Sequence, residues 1–301
     1  MGAADGGHSE ERRLFDRRLG ELRPKLHRYC GRMTGSVIDG EDVVQEALLK
    51  AVQAYAQAGP IDDIEAWLFR IAHNTALDFL RRRARHDAAR AGQDPDMVVD
   101  PTNPTEDRLT AAMSLRTFMR LPVTQRSTVI LKDVLGYSLQ EVGRVTEISL
   151  PAVKAALNRG RARLRQLASE PEDLPVPALR EPERSLLLAY VDRFNARDFD
   201  AIRDMLADEV RLELVNRTRM HGRREVGTYL HNYGLAHDWH FVPALLERRP
   251  ALAVRDPGDP SAALTYFVLL HWEDGRLMHI RDFRYARYVT EGADVVIATE
   301  R

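Results

Sequence analysis

The stretch SLQEVGRVTEISLPAVKAALNRGRARLRQL, residues 138–167, reads as two short helices around a turn. Ser138 and Glu141 have the Ser-x-x-Glu spacing of a capping box, in which hydroxyl and carboxylate each take a backbone N–H left open at a helix start. Ser149 is placed to cap the second helix, with Pro151 tolerated in its first turn. Val153, Ala156, Leu157 and Leu164 share one face and are expected to pack inward. Ala155, Asn158 and Ala162 point the other way, flanked by Lys154, Arg159 and Arg165. From Val153 to Leu167 there are five basic residues and no acid. Small residues and an amide edged by cations suit a helix lying in a DNA major groove. An amphipathic helix in a protein-binding bundle is the alternative.

Working outward, the 301-residue chain has room for two or three domains. Its net charge is −1, so charge has to be read locally. The single cysteine, Cys30, excludes an intramolecular disulfide and offers no metal framework; it reads as a small buried hydrophobe. No signal-peptide-like run opens the sequence and no apolar run reaches membrane-spanning length, so a cytoplasmic protein without membrane contact is expected. No cofactor is expected.

Two proline-bearing stretches read as linkers, residues 87–108 with three prolines and 169–184 with four. They leave three candidate domains, 10–86, 109–168 and 185–290. The first two are Leu/Ala/Arg-rich and helical in pattern. Thirteen of the 21 aromatic residues lie between Tyr190 and Tyr288, where the pattern turns towards strands. VRLELV (210–215) alternates, and ALTYFVLLHWEDGRLMHIRDFRY (263–285) is two β-rich runs around a hairpin signal. The expected fold is therefore multidomain: two all-α modules, the second a helix-turn-helix, followed by an α+β domain.

DDIEAWLFRIAHNTALDFLRRRAR (62–85) is a predicted helix whose Asp62 and Glu65 are spaced as a capping pair. Leu68, Ile71, Ala72, Thr75 and Phe79 form its apolar stripe. Arg70, Asn74, Asp78, Arg81 and Arg85 gather on the far side, and Arg82 extends that face. Four arginines fall within positions 81–85. Such density is self-repelling unless a polyanion neutralises it, although periodicity alone fits a solvated bundle face. Asn74 could hydrogen-bond a base edge or sugar. In the preceding helix, Asp39, Glu41, Asp42, Gln45 and Glu46 crowd the N-terminal end, where acids complement the helix dipole. They also make a candidate docking surface for a basic partner.

Taken together, these pieces resemble an extracytoplasmic-function sigma factor. DGEDVVQEALLKAVQAY (39–55) looks like the region that docks on the clamp of core RNA polymerase. WLFRIAHNTALDFLRRRAR (67–85) is similar to the helix beside the −10 promoter element. Residues 121–166, which take in all but the last residue of the opening stretch, look like the module reading the −35 element. The resemblance covers about residues 10–168 and implies roles by matched position. Asp39, Glu41, Asp42, Gln45 and Glu46 would meet the polymerase. Trp67, Arg70, Asn74, Asp78, Arg81 and Arg82 would occupy the −10 helix, with Trp67 structural. Ser149, Ala152, Lys154, Ala155, Asn158 and Arg159 would face −35 DNA. Glu147 departs from the family, whose turn commonly has glycine there. In the family, the segment equivalent to 87–108 threads the polymerase channel; a plain tether is the other reading.

Residues 185–290 resemble the SnoaL-like branch of the nuclear-transport-factor-2-like fold, most clearly in LLLAYVDRFNARDFDAIRDMLADEVRLELV (186–215). Enzymes on that scaffold place acid/base groups in an apolar cavity, which makes His240, His271, His279 and Asp282 candidates for a small-molecule pocket. No paired constellation is legible among them, so ligand sensing or an intramolecular contact is expected rather than catalysis.

The function expected is promoter selection for core RNA polymerase, with the C-terminal domain regulating it in cis. The alternative is an autonomous helix-turn-helix regulator with a ligand-binding C-terminal domain, which would not need the acidic helix and the −10-like helix. A third reading, an enzyme with DNA-binding appendages, needs an acid/base pair that the sequence does not display.

Overall fold

The computed structural model describes residues 4–55, 57, 61–91, 114–168, 179, 181–255 and 264–298. The chain divides into two compact units, Met1–Glu172 and Asp173–Arg301.

The first unit is helical. α1 (Ala4–Thr34), α2 (Val37–Tyr55) and α3 (Ile64–Ala91) pack around Phe15, Leu26, Tyr29, Val44, Leu68, Phe69 and Ala72, each 2% exposed or less. α1 and α2 meet at backbone distance, since a Cβ built on Gly40 would lie 2.6 Å from Gly31 Cα. Only glycine permits that approach. The expected capping pair is corrected. α3 starts at Ile64, so Asp63 is the residue that caps it, accepting from Ala66 N at 2.9 Å. At its far end α3 runs five residues into the stretch expected as linker, because Asp87–Ala91 are mostly strong helix formers. The rest of that linker, from residue 92, lies outside the described residues.

α4 (Leu115–Met119), α5 (Val123–Val129), a π-helical turn (Ile130–Val134), α6 (Leu139–Thr146) and α7 (Leu150–Ala168) complete the unit. Their Phe118, Val129, Ile130, Leu131, Val142, Val145, Val153, Leu157 and Leu164 join the same apolar cluster as α1–α3. The two helical segments separated in the sequence thus share one core. Arg126, buried from α5, seals the junction by donating to Met33 O at 2.6 Å and Leu121 O at 3.0 Å. Burial lowers its pKa to about 10, which leaves it charged at neutral pH.

In the second unit, α8 (Glu183–Asn195), α9 (Phe199–Met205) and α10 (Gly222–Leu235) accompany a seven-stranded sheet of order β2-β1-β6-β5-β4-β3-β7. The strands are β1 (Leu206–Leu214), β2 (Thr218–His221), β3 (His240–Leu246), β4 (Arg249–Arg255), β5 (Tyr266–Glu273), β6 (Arg276–Asp282) and β7 (Val295–Ile297). β1 and β6 pair parallel, and every other pair is antiparallel. The expected hairpin is β5–β6, with Asp274 and Gly275 both at positive φ, as a two-residue type I′ turn requires. Tyr190 and Phe194 of α8 and Val226, Tyr229 and Tyr233 of α10 bury one sheet face. The unit runs on through β7, past residue 290, the expected end of the domain. Among the described residues, no helix is long and apolar enough to cross a membrane and no side-chain group is arranged to hold a metal.

Candidate nucleic-acid interface

The capping box is formed as expected. Ser138 Oγ accepts from Glu141 N at 3.2 Å, and Glu141 Oε2 accepts from Ser138 N at 2.7 Å. At the turn, Glu147 takes the left-handed conformation, with φ 56 and ψ 33. Glycine would adopt it without strain. Val153, Ala156, Leu157 and Leu164 of α7 are buried. Ser149, Ala152, Lys154, Asn158 and Arg159 are exposed, and Ala155 is half-buried. Lys154, Asn158 and Arg159 make no hydrogen bond or ion pair among the described residues. Ala162 departs from expectation. It is 4% exposed and belongs to the packed face, because α5 closes over this part of α7.

On α3, Arg70, Asn74, Arg81 and Arg82 are exposed and Asp78 is half-buried. Trp67 is half-buried and tilts against Phe15, with ring centroids 6.4 Å apart. Arg81 pairs with Asp78 at 2.9 Å, and Arg70 lies 3.8 Å from Glu147 at the helix-turn-helix turn. His73 escaped the sequence reading because it looks like one more polar residue in a basic helix. It is buried and shares a 2.7 Å hydrogen bond with the Tyr29 hydroxyl. Desolvation, reinforced by the Arg81 charge, lowers its pKa to about 4.

The acidic group on α2 does not act as one surface. Glu41 is fully buried and forms an ion pair with Arg23. It is therefore removed from the set expected to meet a partner, since a carboxylate inside the core must keep its counter-charge. Asp39 and Gln45 are half-buried, and Asp42 is exposed. Glu46 meets Arg82 and Lys50, both at 2.8 Å, and Arg82 holds its carboxyl below the usual range. Arg83 reaches Asp39 at 3.3 Å. Two acids of α2, Glu46 and Asp39, thus stand beside two arginines of α3, Arg82 and Arg83.

The Sigma-70 region 2 family model matches residues 19–86, and the Sigma-70, region 4 model matches residues 115–164. Over 157 residues the chain is 34% identical to the ECF RNA polymerase sigma factor SigM of Mycobacterium tuberculosis, covering 52% of this chain and 78% of SigM. The chain belongs to the ECF RNA polymerase sigma factor family. ECF RNA polymerase sigma factor SigG of the same organism is 29% identical over 275 residues, covering 81% of this chain and 74% of SigG. That share is larger than the first unit alone. The crystal structure of Mycobacterium tuberculosis extracytoplasmic function sigma factor SigJ matches 87% of this chain and 93% of its own, at 19% identity and a TM-score of 0.33.

In the second unit of this sigma factor, the four candidate pocket residues do not converge. Asp282 faces the helices, accepting from Tyr233 Oη at 2.7 Å, Tyr229 Oη at 3.0 Å and Arg284 N at 2.8 Å. Complete burial raises its pKa, opposed by those hydrogen bonds. Strand alternation puts the histidines on the other face. His240 precedes the inward-facing Phe241 and is exposed. His271 and His279 are cross-strand neighbours, the first exposed and bonded to Glu273 at 3.1 Å, the second half-buried with its pKa lowered by desolvation.

Proposed function

We propose that this sigma factor directs core RNA polymerase to promoters by presenting α7 to the −35 element and the exposed face of α3 to the −10 element. The observation that carries the reading is the row on α7. A helix packed along one face displays Lys154, Asn158 and Arg159 on the other, with no hydrogen bond or ion pair among the described residues. Ser149, Ala152 and Ala155 complete the groove-facing surface, with Ala155 at its buried margin. On α3, Arg70, Asn74, Asp78, Arg81 and Arg82 make the second contact. Asp39, Asp42, Gln45 and Glu46 provide the polymerase surface, without Glu41. Transcription in vitro with purified core polymerase and a promoter library tests the assignment. Specific initiation is expected, and tight duplex binding without any holoenzyme would favour an autonomous regulator.

The second unit, in this reading, regulates the first in cis and catalyses nothing. Supporting this, the one buried carboxylate among its described residues, Asp282, is committed to two tyrosines, while the three histidines share no face with it. Truncation after Ser169 is expected to change promoter output while leaving the preferred DNA sequence the same. Unaltered output across growth conditions would leave the unit without a regulatory role.

A further inference from the structure

α9 and α10 of the second unit flank a groove of about 580 Å³ lined by Arg203, Arg223, Arg224, Gly227, Thr228 and His231. No acid lines it. A second depression of about 440 Å³ shares Arg203 and His231 with it. On α10, Arg224, Gly227, Thr228 and His231 follow the i, i+3, i+4, i+7 spacing of a single helix face. Arg203 faces them from α9.

Two features of this groove are unfavourable for the protein alone. Arg223 and Arg224 stand in the first turn of a 14-residue helix, where the dipole is already positive and cations are disfavoured. Glu225, in the same turn, is turned back to accept from His221 N at 2.8 Å. Gly227 lies inside the helix, where glycine is less favourable than alanine. A Cβ there would come only within ordinary contact of Arg203 Nε, at 3.7 Å, so packing does not demand the glycine. Of the three arginines, two are held in place: Arg203 pairs with Asp200, and Arg223 bonds Asp208 at 3.1 Å and Leu206 O at 2.5 Å. Arg224 and His231 make no hydrogen bond or ion pair among the described residues.

We infer that this groove binds the phosphoryl group of a small phosphorylated molecule. Guanidinium groups offer paired N–H donors matched to phosphate oxygens, and the helix dipole adds to their field. An anion would relieve the clustered positive charge, and the missing side chain at Gly227 leaves the floor open to it. This site stands independently of the reading that the unit regulates in cis, because binding is measured without polymerase.

The test is calorimetric titration of the full chain with inorganic pyrophosphate and with inorganic phosphate at constant ionic strength, with sodium chloride as reference. Saturable, single-site binding of pyrophosphate is expected, with a matching rise in melting temperature. Arg224→Ala combined with His231→Ala should weaken binding about tenfold or more, as removal of a charge-assisted contact does. Gly227→Ala should also weaken binding, while the melting temperature of the unliganded protein holds or rises. That combination separates a blocked site from a damaged fold. Equal heats from chloride, unchanged affinity in both variants, or a response to duplex DNA alone would each overturn the inference.

Discussion

Tyr137 donates its hydroxyl to Glu65 Oε1 at 2.5 Å, joining the residue before the helix-turn-helix to the first turn of α3 across 72 positions of sequence. Lys25 of α1 bonds the same oxygen at 2.5 Å and lies 4.2 Å from the Tyr137 ring centroid. Against the desolvation of its half-buried site, these two partners hold the Glu65 carboxyl below the usual range. The contact sits on the shared core, where Tyr137 and Phe69 have ring centroids 5.2 Å apart. It ties the −35 and −10 candidates into one folding unit.

Tyr137→Phe keeps the ring and deletes the hydroxyl. A hydrogen bond to a charged group contributes about 1.5–3 kcal/mol, so the variant should lose roughly that much stability in urea denaturation. In a double-mutant cycle, Glu65→Gln should show most of the loss as coupling. Additive single losses would mean that the two halves are held by apolar packing alone.

His73 makes stability depend on pH. Its folded pKa of about 4 lies below the ordinary value of 6.5. Between those values the unfolded chain binds the extra proton, so stability rises with pH there and is lost as pH falls from 6.5 towards 4. The full span corresponds to about 3 kcal/mol. Urea midpoints at pH 7.5 and pH 5 should differ in the parent protein and differ less in His73→Asn. Equal slopes in the two proteins would contradict the assignment.

Glu41 and Asp42 are adjacent in sequence and should behave oppositely. Glu41→Ala removes the carboxylate that pairs with the buried Arg23 guanidinium and should cost about 3–5 kcal/mol in thermal unfolding. Asp42→Ala, at an exposed position, should change stability by less than about 0.5 kcal/mol and weaken polymerase binding instead. A folded Glu41→Ala protein with a selective polymerase defect would restore Glu41 to the docking surface.

Asn158 and Lys154 should differ in what they do to DNA binding. Asn158→Ala should relax base preference at one −35 position, by about 1–3 kcal/mol if the contact is bidentate. Lys154→Ala should weaken all sequences alike and lower the salt-dependence slope by about one. A promoter screen in which Asn158→Ala shifts no preference would remove it from direct readout.

Several features were legible in the sequence because they depend on neighbours a few residues apart. The capping box at Ser138 and Glu141, the packed row from Val153 to Leu164 and the Asp274–Gly275 hairpin each follow from local spacing and backbone preference. The same locality explains the misreadings. Asp62 and Asp63 both precede α3, and the register of its first turn selects Asp63. Glu41 has the composition of a docking acid, yet its helix turns it inward to Arg23. Ala162 lies on the expected open face until α5 covers it.

What the sequence determined by itself was the identity of the elements: two basic helical segments, an acidic helix before the first of them, and an α+β unit from about residue 185. Tertiary structure decided which charges remain available. It buried Glu41 and His73, paired Glu46 with Arg82, and left Lys154, Asn158 and Arg159 open. It also set Asp282 and the three histidines on opposite faces of one sheet. Periodicity reports which residues share a face of an element. Which faces meet is set by apolar burial between segments far apart in the chain, and that is settled only when the whole core closes.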